Sequence, residues 1–188
     1  MDQSSSLSRI DWVARSCRLL AATAQEFRET RPFAGLTIGT GIHLEPKTVA
    51  LLMTLRAGGA GLVCTGNLNS TQPETVAYLR AQGIKVFATQ TRDADEHGAS
   101  LDAILAEKPD LLLDNGGDLF ARAADKPYAN LLGGTEETTS GRTRLMPMRD
   151  KLNMPILVIN DSPIKQFAEN RHAVGQSMFE SYLRFTNR

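Results

Sequence analysis

Ile10, Val13, Cys17, Leu20, Ala24 and Phe27 recur at intervals of three and four, the spacing that gathers apolar side chains on one face of an α-helix. They predict an amphipathic helix over 8–29, stopped by Pro32. A short apolar run over 36–39 predicts a strand, followed by the loop GTGIHLEP. Pro46 suits the first turn of a helix that Val49, Leu52 and Met53 carry to Gly58 and Gly59. The same unit then repeats, with a strand over 61–65, the loop GNLNSTQ, and a helix from Pro73 to Gly83. A third strand is predicted over 84–88 and the end of a third helix over 100–107. Buried strands over 111–113 and 155–159 run into DNGGD and NDSPIK. Strands alternating with helices predict a three-layer, Rossmann-like α/β domain, a single one over 1–188, with a largely parallel sheet covered on both faces.

Charge narrows the field. Lys plus Arg and Asp plus Glu balance at 21 each, so no global field directs the chain to nucleic acid or to a membrane surface. Two cysteines are too few for a disulfide framework. Cys17 lies on the helical stripe and Cys64 in a strand, which predicts two buried thiols of a cytosolic protein. The opening MDQSSS lacks the apolar core of a signal peptide, and no apolar run approaches membrane-spanning length. The expectation is a soluble, cytoplasmic domain.

In parallel α/β sheets, ligands sit beyond the carboxyl ends of the strands. That rule selects GTGIHLEPK, TGNLNSTQ, DNGGDL, GGTEETTSG and NDSPIKQFAEN, all read as loops rich in polar groups. Gly39-Thr40-Gly41 invites a dinucleotide-binding reading and fails it. Leu44 holds the third glycine position, Pro46 comes where the helix should already run, and Thr65-Gly66-Asn67 offers no acid for a ribose. Lys47-Thr48 follows a proline instead of the glycine of a phosphate loop. No Cys/His cluster has metal-ligand spacing and no G-x-S-x-G elbow occurs, so no metal is expected.

NLNSTQPE, LLLDNGGDL, EETTSGRTRL and VINDSPIKQFAEN, with His43 in GIHLEPKTVALL, resemble in order the loops of the S-adenosylhomocysteine hydrolase family, across residues 8–186. The resemblance implies a substrate-binding domain for a nucleoside or nucleoside thioether. It implies a reaction in which NAD oxidises the ribose 3′-hydroxyl, the ketone acidifies the 4′ C–H, homocysteine leaves the 5′ carbon, water adds and the ketone is reduced. It further implies that the NAD-binding domain and lid of relatives follow the last helix. The chain stops at Arg188, so the expectation is that it holds no cofactor alone, with NAD possible in trans from another chain.

The same resemblance assigns roles to residues. His43 corresponds to a proton carrier near the 5′ position, a role that suits a histidine in a loop at a strand's carboxyl end. Glu137 corresponds to the glutamate that binds ribose hydroxyls. Its place also suits a carboxylate near the start of a helix running from EETTSG toward Asn153. Thr138, Thr139 and Ser140 resemble the cluster that touches nicotinamide, and they equally suit helix capping. Lys165 corresponds to the lysine at the 3′-hydroxyl, one turn before Glu169 where the family has aspartate. The plainer reading of that pair is a solvated i,i+4 ion pair worth about 0.3 kcal/mol. Asn160 and Asn170 correspond to the flanking asparagines, and Asn67, Ser70, Thr71 and Gln72 to the substrate contacts of the second loop. His97 and His172 match nothing and read as surface residues.

The departures fall in the pocket. Asn115 stands where the family has an aspartate of the proton-transfer set, and an amide is no base. Glu45 replaces a threonine. Lys47 replaces an acid or amide that recognises adenine, and an ammonium cannot accept a hydrogen bond from an exocyclic amine. Val174 replaces a cysteine near the nicotinamide. Pocket changes on a kept scaffold imply a changed ligand or chemistry. One function is a nucleoside-acting enzyme that takes its NAD domain from a partner; the alternative is a non-catalytic nucleoside-binding or partner-binding protein. Surface left bare without a lid implies a homo- or hetero-oligomer.

Overall fold

Six strands form one sheet in the computed structural model, which describes residues 3–187. They are β1 (Thr37–Gly41), β2 (Gly61–Thr65), β3 (Lys85–Val86), β4 (Leu111–Asp114), β5 (Gly133–Glu136) and β6 (Ile156–Val158). Every pairing is parallel, in the order β3-β2-β1-β4-β5-β6. The α/β architecture expected from the alternation is the observed one. α3 (Pro46–Ala57) and α4 (Pro73–Ala81) cover one face, with α1 (Gln3–Ser16) and α2 (Arg18–Thr30) packed on α3. α5 (Ala94–Ala106), α6 (Asp118–Asp125) and α7 (Thr139–Leu145) cover the other. Ile38, Leu52, Cys64 and Leu79 fill the first interface, and Val63, Ile104, Leu112 and Phe120 the second. Two buried faces explain why the strands read as continuous apolar runs without alternation. Burial pushes the Cys64 thiol up to about 11, leaving it inert.

Four elements differ from expectation. The helix predicted over 8–29 breaks at Cys17, whose ψ of 64° leaves the helical region, although Ile10 and Ala24 of the stripe are buried. GGTEETTSG, read wholly as a loop, begins with β5. A Cβ on Gly134 would lie 1.9 Å from the Leu112 carbonyl oxygen, so this strand requires a glycine and carries no apolar signature. α6, which follows DNGG directly, was not among the expected elements, although Leu119, Phe120 and Ala123 share its buried face. The helix expected toward Asn153 is the short α7 followed by a 3₁₀ turn, Met146–Lys151.

Beyond β6 the chain forms a 3₁₀ turn (Ile159–Asp161), a π-helix (Lys165–Ala173) and α8 (Val174–Thr186). Among the described residues α8 makes no substantial contact beyond the π-helix it continues. It exposes Met178, Phe179, Tyr182 and Phe185, the last 92% accessible. Among the described residues no helix is long and apolar enough to cross a membrane.

The order of the sheet places the site. From β1 the chain moves outward to β2 and β3, then returns to the opposite side of β1 as β4. The loops after β1 and β4 therefore diverge and leave a crevice at the carboxyl edge.

Candidate functional site

The floor of the crevice is built from two carboxylates that end neighbouring strands. Asp114 and Glu136 are register partners, and both are fully buried. Asp114 accepts the backbone N–H groups of Asn115, Leu119 and Phe120 at 3.0, 2.9 and 3.1 Å. Glu136 accepts those of Gly116, Gly117 and Thr138 at 3.0, 2.9 and 2.8 Å, and the Thr138 hydroxyl at 2.7 Å. Gly116 and Gly117 turn their N–H groups downward with φ of 102° and 75°, a conformation that favours glycine. Burial, with the charge of Glu136 adding to it, raises Asp114 to about 7 against the pull of its backbone donors. Neither carboxylate was among the predicted site residues. Their only signal was an acid at the end of each strand, which looks the same as an acid in a ligand-binding loop.

Above this floor opens a cleft of about 650 Å³. Cys17, Leu20, Ile42 and Leu51 form an apolar wall from α2, the β1 loop and α3. Cys17 is half-buried, not buried as expected, because the helix break turns it toward the cleft. Of the predicted residues, His43, Glu45, Lys47, Asn115, Glu137, Thr138, Lys165 and Glu169 line the cleft together. Lys47 stands at the exposed rim with its ammonium 3.1 Å from Glu45 Oε1. The apolar wall has no distinct signature in the sequence, since Leu20 lies on a stripe that reads as core.

A second row of predicted residues supports the first. Asn67 Nδ2 donates to the Asn115 side-chain oxygen at 2.9 Å and to its backbone oxygen at 3.1 Å. This fixes the amide so that Asn115 Nδ2 donates to Glu137 Oε2 at 2.8 Å. His43 Nδ1 lies 2.6 Å from Ser70 Oγ. Thr71 and Gln72 do not reach the lining. Thr71 is buried beneath Gly66, and Gln72 donates its backbone N–H to the Leu44 carbonyl at 2.9 Å, tying the second loop to the first.

The π-helix sets the remaining wall. Its wide winding brings the fourth and fifth following residues beside a given side chain. Lys165 Nζ accordingly donates to Glu169 Oε1 at 2.6 Å and to Asn170 Oδ1 at 3.2 Å, while Asn170 Nδ2 donates to Asn160 Oδ1 at 2.9 Å. The Lys165 side chain is only 21% exposed, so the pair is not the fully solvated one of the plainer reading. Glu137, Thr138 and Lys165 also border a second recess with Thr139, Ser140, Asn160, Asn170 and Val174. Thr138 caps α7 by accepting the Gly141 N–H at 2.9 Å. His97 is half-buried between α5 and α6, where burial lowers its pKa, so it is not a plain surface residue; His172 is exposed.

The glycines of β1 do not fit a dinucleotide. A Cβ on Gly39 would meet Pro109 at 2.7 Å and one on Gly41 would meet Leu119 at 2.9 Å, so both serve packing inside the strand. Four residues separate β1 from α3, and no glycine turn meets the helix start. Among the described residues no group of three His, Cys, Asp or Glu could hold a metal ion.

Residues 8–126 match the family model described as S-adenosyl-L-homocysteine hydrolase. The chain belongs to that family. It is 40% identical over 185 residues to an adenosylhomocysteinase of Thermotoga maritima, covering 95% of this chain and 46% of the relative. It is 37% identical to an S-inosyl-L-homocysteine hydrolase of Methanopyrus kandleri, with 95% and 43% covered. An adenosylhomocysteinase of Pyrococcus abyssi is also 37% identical, with 96% and 44% covered. The chain thus spans less than half the length of these curated relatives.

Proposed function

We propose that the cleft binds a purine nucleoside or nucleoside 5′-thioether, and that the 188 residues by themselves do not complete hydrolysis of S-adenosylhomocysteine. The observation that carries this reading is the convergence of His43, Glu137 and Lys165 on one cleft that Leu20, Ile42 and Leu51 also line. Such apolar residues suit the face of a base, and a carboxylate and an ammonium lining the same cleft suit a vicinal diol. Lys47 at the rim favours a base that presents a carbonyl there in place of an amine, because its ammonium only donates. An S-inosyl-L-homocysteine hydrolase among the relatives supports that preference, since inosine carries such a carbonyl. Calorimetric titration with inosine, adenosine and their homocysteine thioethers tests the reading; absence of binding to all four would refute it.

Two modes of action follow. In the first, an NAD-bearing partner docks at the second recess, where Thr139 and Ser140 are exposed, and supplies the oxidation that this chain's residues do not. His43 would then move protons at the 5′ end and Lys165 would hold the 3′-hydroxyl. The second mode is binding without turnover, in the cytoplasm. It is favoured by Asn115, whose amide is pinned between Asn67 and Glu137 and has no proton-accepting role.

A further inference from the structure

We propose that Ser70 is a positioning residue that confines proton exchange at His43 to Nε2, the ring nitrogen left free for the cleft. The inference rests on the reading that His43 faces a ligand, and it adds how that histidine is held. Ser70 has one hydroxyl proton and two neighbours that compete for it. Its Oγ lies 2.6 Å from His43 Nδ1 and 3.3 Å from the Asn67 carbonyl oxygen. A carbonyl oxygen only accepts, so the hydroxyl proton alone can make the second contact a hydrogen bond. Both contacts are hydrogen bonds together only when Nδ1 carries a proton and donates it to Ser70, while Ser70 donates to Asn67. That assignment makes neutral His43 the Nδ1–H tautomer, with a lone pair on Nε2. Among the described residues Nε2 has no hydrogen-bond partner, whereas the His43 backbone is held by the Thr48 hydroxyl at its carbonyl oxygen.

The consequence is directional. When Nε2 takes a proton, Nδ1–H still donates to Ser70, so the ring changes charge without changing its hold. A histidine gripped this way accepts and returns a proton on one side only, toward whatever occupies the cleft. The charged groups that share the lining are Glu45, Lys47, Glu137, Lys165 and Glu169. None of them contacts Nδ1, so the tautomer is set by Ser70. Asn67 then joins both ends of the site. Its backbone oxygen anchors Ser70, and its side-chain amide orients Asn115 and through it Glu137.

The test reads the tautomer directly, by long-range ¹H–¹⁵N correlation of His43 in the ligand-free chain at a pH where the ring is neutral. The expected wild-type spectrum shows a protonated Nδ1 and a bare Nε2. In Ser70→Ala the ratio of Nδ1–H to Nε2–H is expected to fall about fivefold, the loss of one ordinary hydrogen bond. Ser70→Thr, which keeps the hydroxyl, is expected to restore it. A merely structural serine would shift stability and leave the tautomer ratio alone. An Nε2–H tautomer in the wild type, or an unchanged ratio in a folded Ser70→Ala, would overturn the proposal. Because no ligand is present, this result is independent of whether nucleosides bind. Failure of the calorimetric titration would refute the nucleoside reading without touching the tautomer.

Discussion

Lys47 and Asp114 show how single residues set the terms of the site. With its ammonium at the rim, the wild type is expected to bind inosine about tenfold more tightly than adenosine, the effect of one charge-assisted hydrogen bond. A glutamine amide donates from one end and accepts from the other, so Lys47→Gln should bring the two affinities nearly level. Calorimetry on both proteins decides it; an adenosine preference that survives the substitution would sink the reading. Asp114 governs stability instead. Its folded-state pKa is raised to about 7 from an ordinary 3.8. A raised carboxyl favours the native state fully below its unfolded pKa, and that contribution disappears as pH rises through the folded value. Melting temperature is therefore expected to fall between about pH 4 and pH 7, the interval between the two values, by an amount that Asp114→Asn largely abolishes. Equal pH slopes in the two proteins would show that the floor does not titrate.

At the scale of elements, close packing around Glu136 makes the sharpest demand. A Cβ on Gly141 in α7 would lie 2.1 Å from the Glu136 carboxyl carbon. Gly141→Ala is expected to cost about 1–3 kcal/mol, the usual range for overpacking, and to weaken nucleoside binding by releasing Gly116 and Gly117. Gly175 in α8 has open space where a Cβ would stand, so Gly175→Ala should be neutral or stabilise by up to about 1 kcal/mol. Urea midpoints of the two variants provide the comparison. The same elements show where the sequence is readable. β2 and the starts of α3 and α4 follow from apolar runs and first-turn prolines, and each lies where it was expected. β5 was illegible because its residues are chosen for close approach to Leu112, which selects glycine and erases the apolar signal. The break at Cys17 was illegible for the opposite reason: the apolar stripe passes straight through it. Loop residues that touch the cleft could be named from resemblance, but not their division into a lining row and the supporting row of Asn67, Ser70, Thr71 and Gln72.

For the whole molecule, the expectation concerns what the 188 residues do unaided. Assayed as they stand with NAD added, they should release no homocysteine from S-adenosylhomocysteine. The β1 glycines are buried in packing, and on the proposed reading an amide at position 115 forfeits a proton-transfer role worth about a hundredfold to ten-thousandfold. Multiple turnovers that vanish in Lys165→Ala would refute this. The bare stripe of Met178, Phe179, Tyr182 and Phe185 should also drive self-association, seen as a mass that rises with concentration in light scattering and falls in Phe179→Glu. That stripe and the cleft are joined by one continuous run of helix. Lys165 begins the π-helix and α8 continues it without a break, so the two sit on one shaft. A π-wound segment has the narrower α winding as its alternative, and each residue's worth of rewinding turns everything downstream by about 100°. A clamp on the stripe that favours the α winding would draw Lys165 out of register with Asn170, its fifth following residue. If a ligand in the cleft favours one of the two windings, reciprocity requires that a clamp on α8 change the ligand's affinity by the factor with which the ligand changes the clamp's.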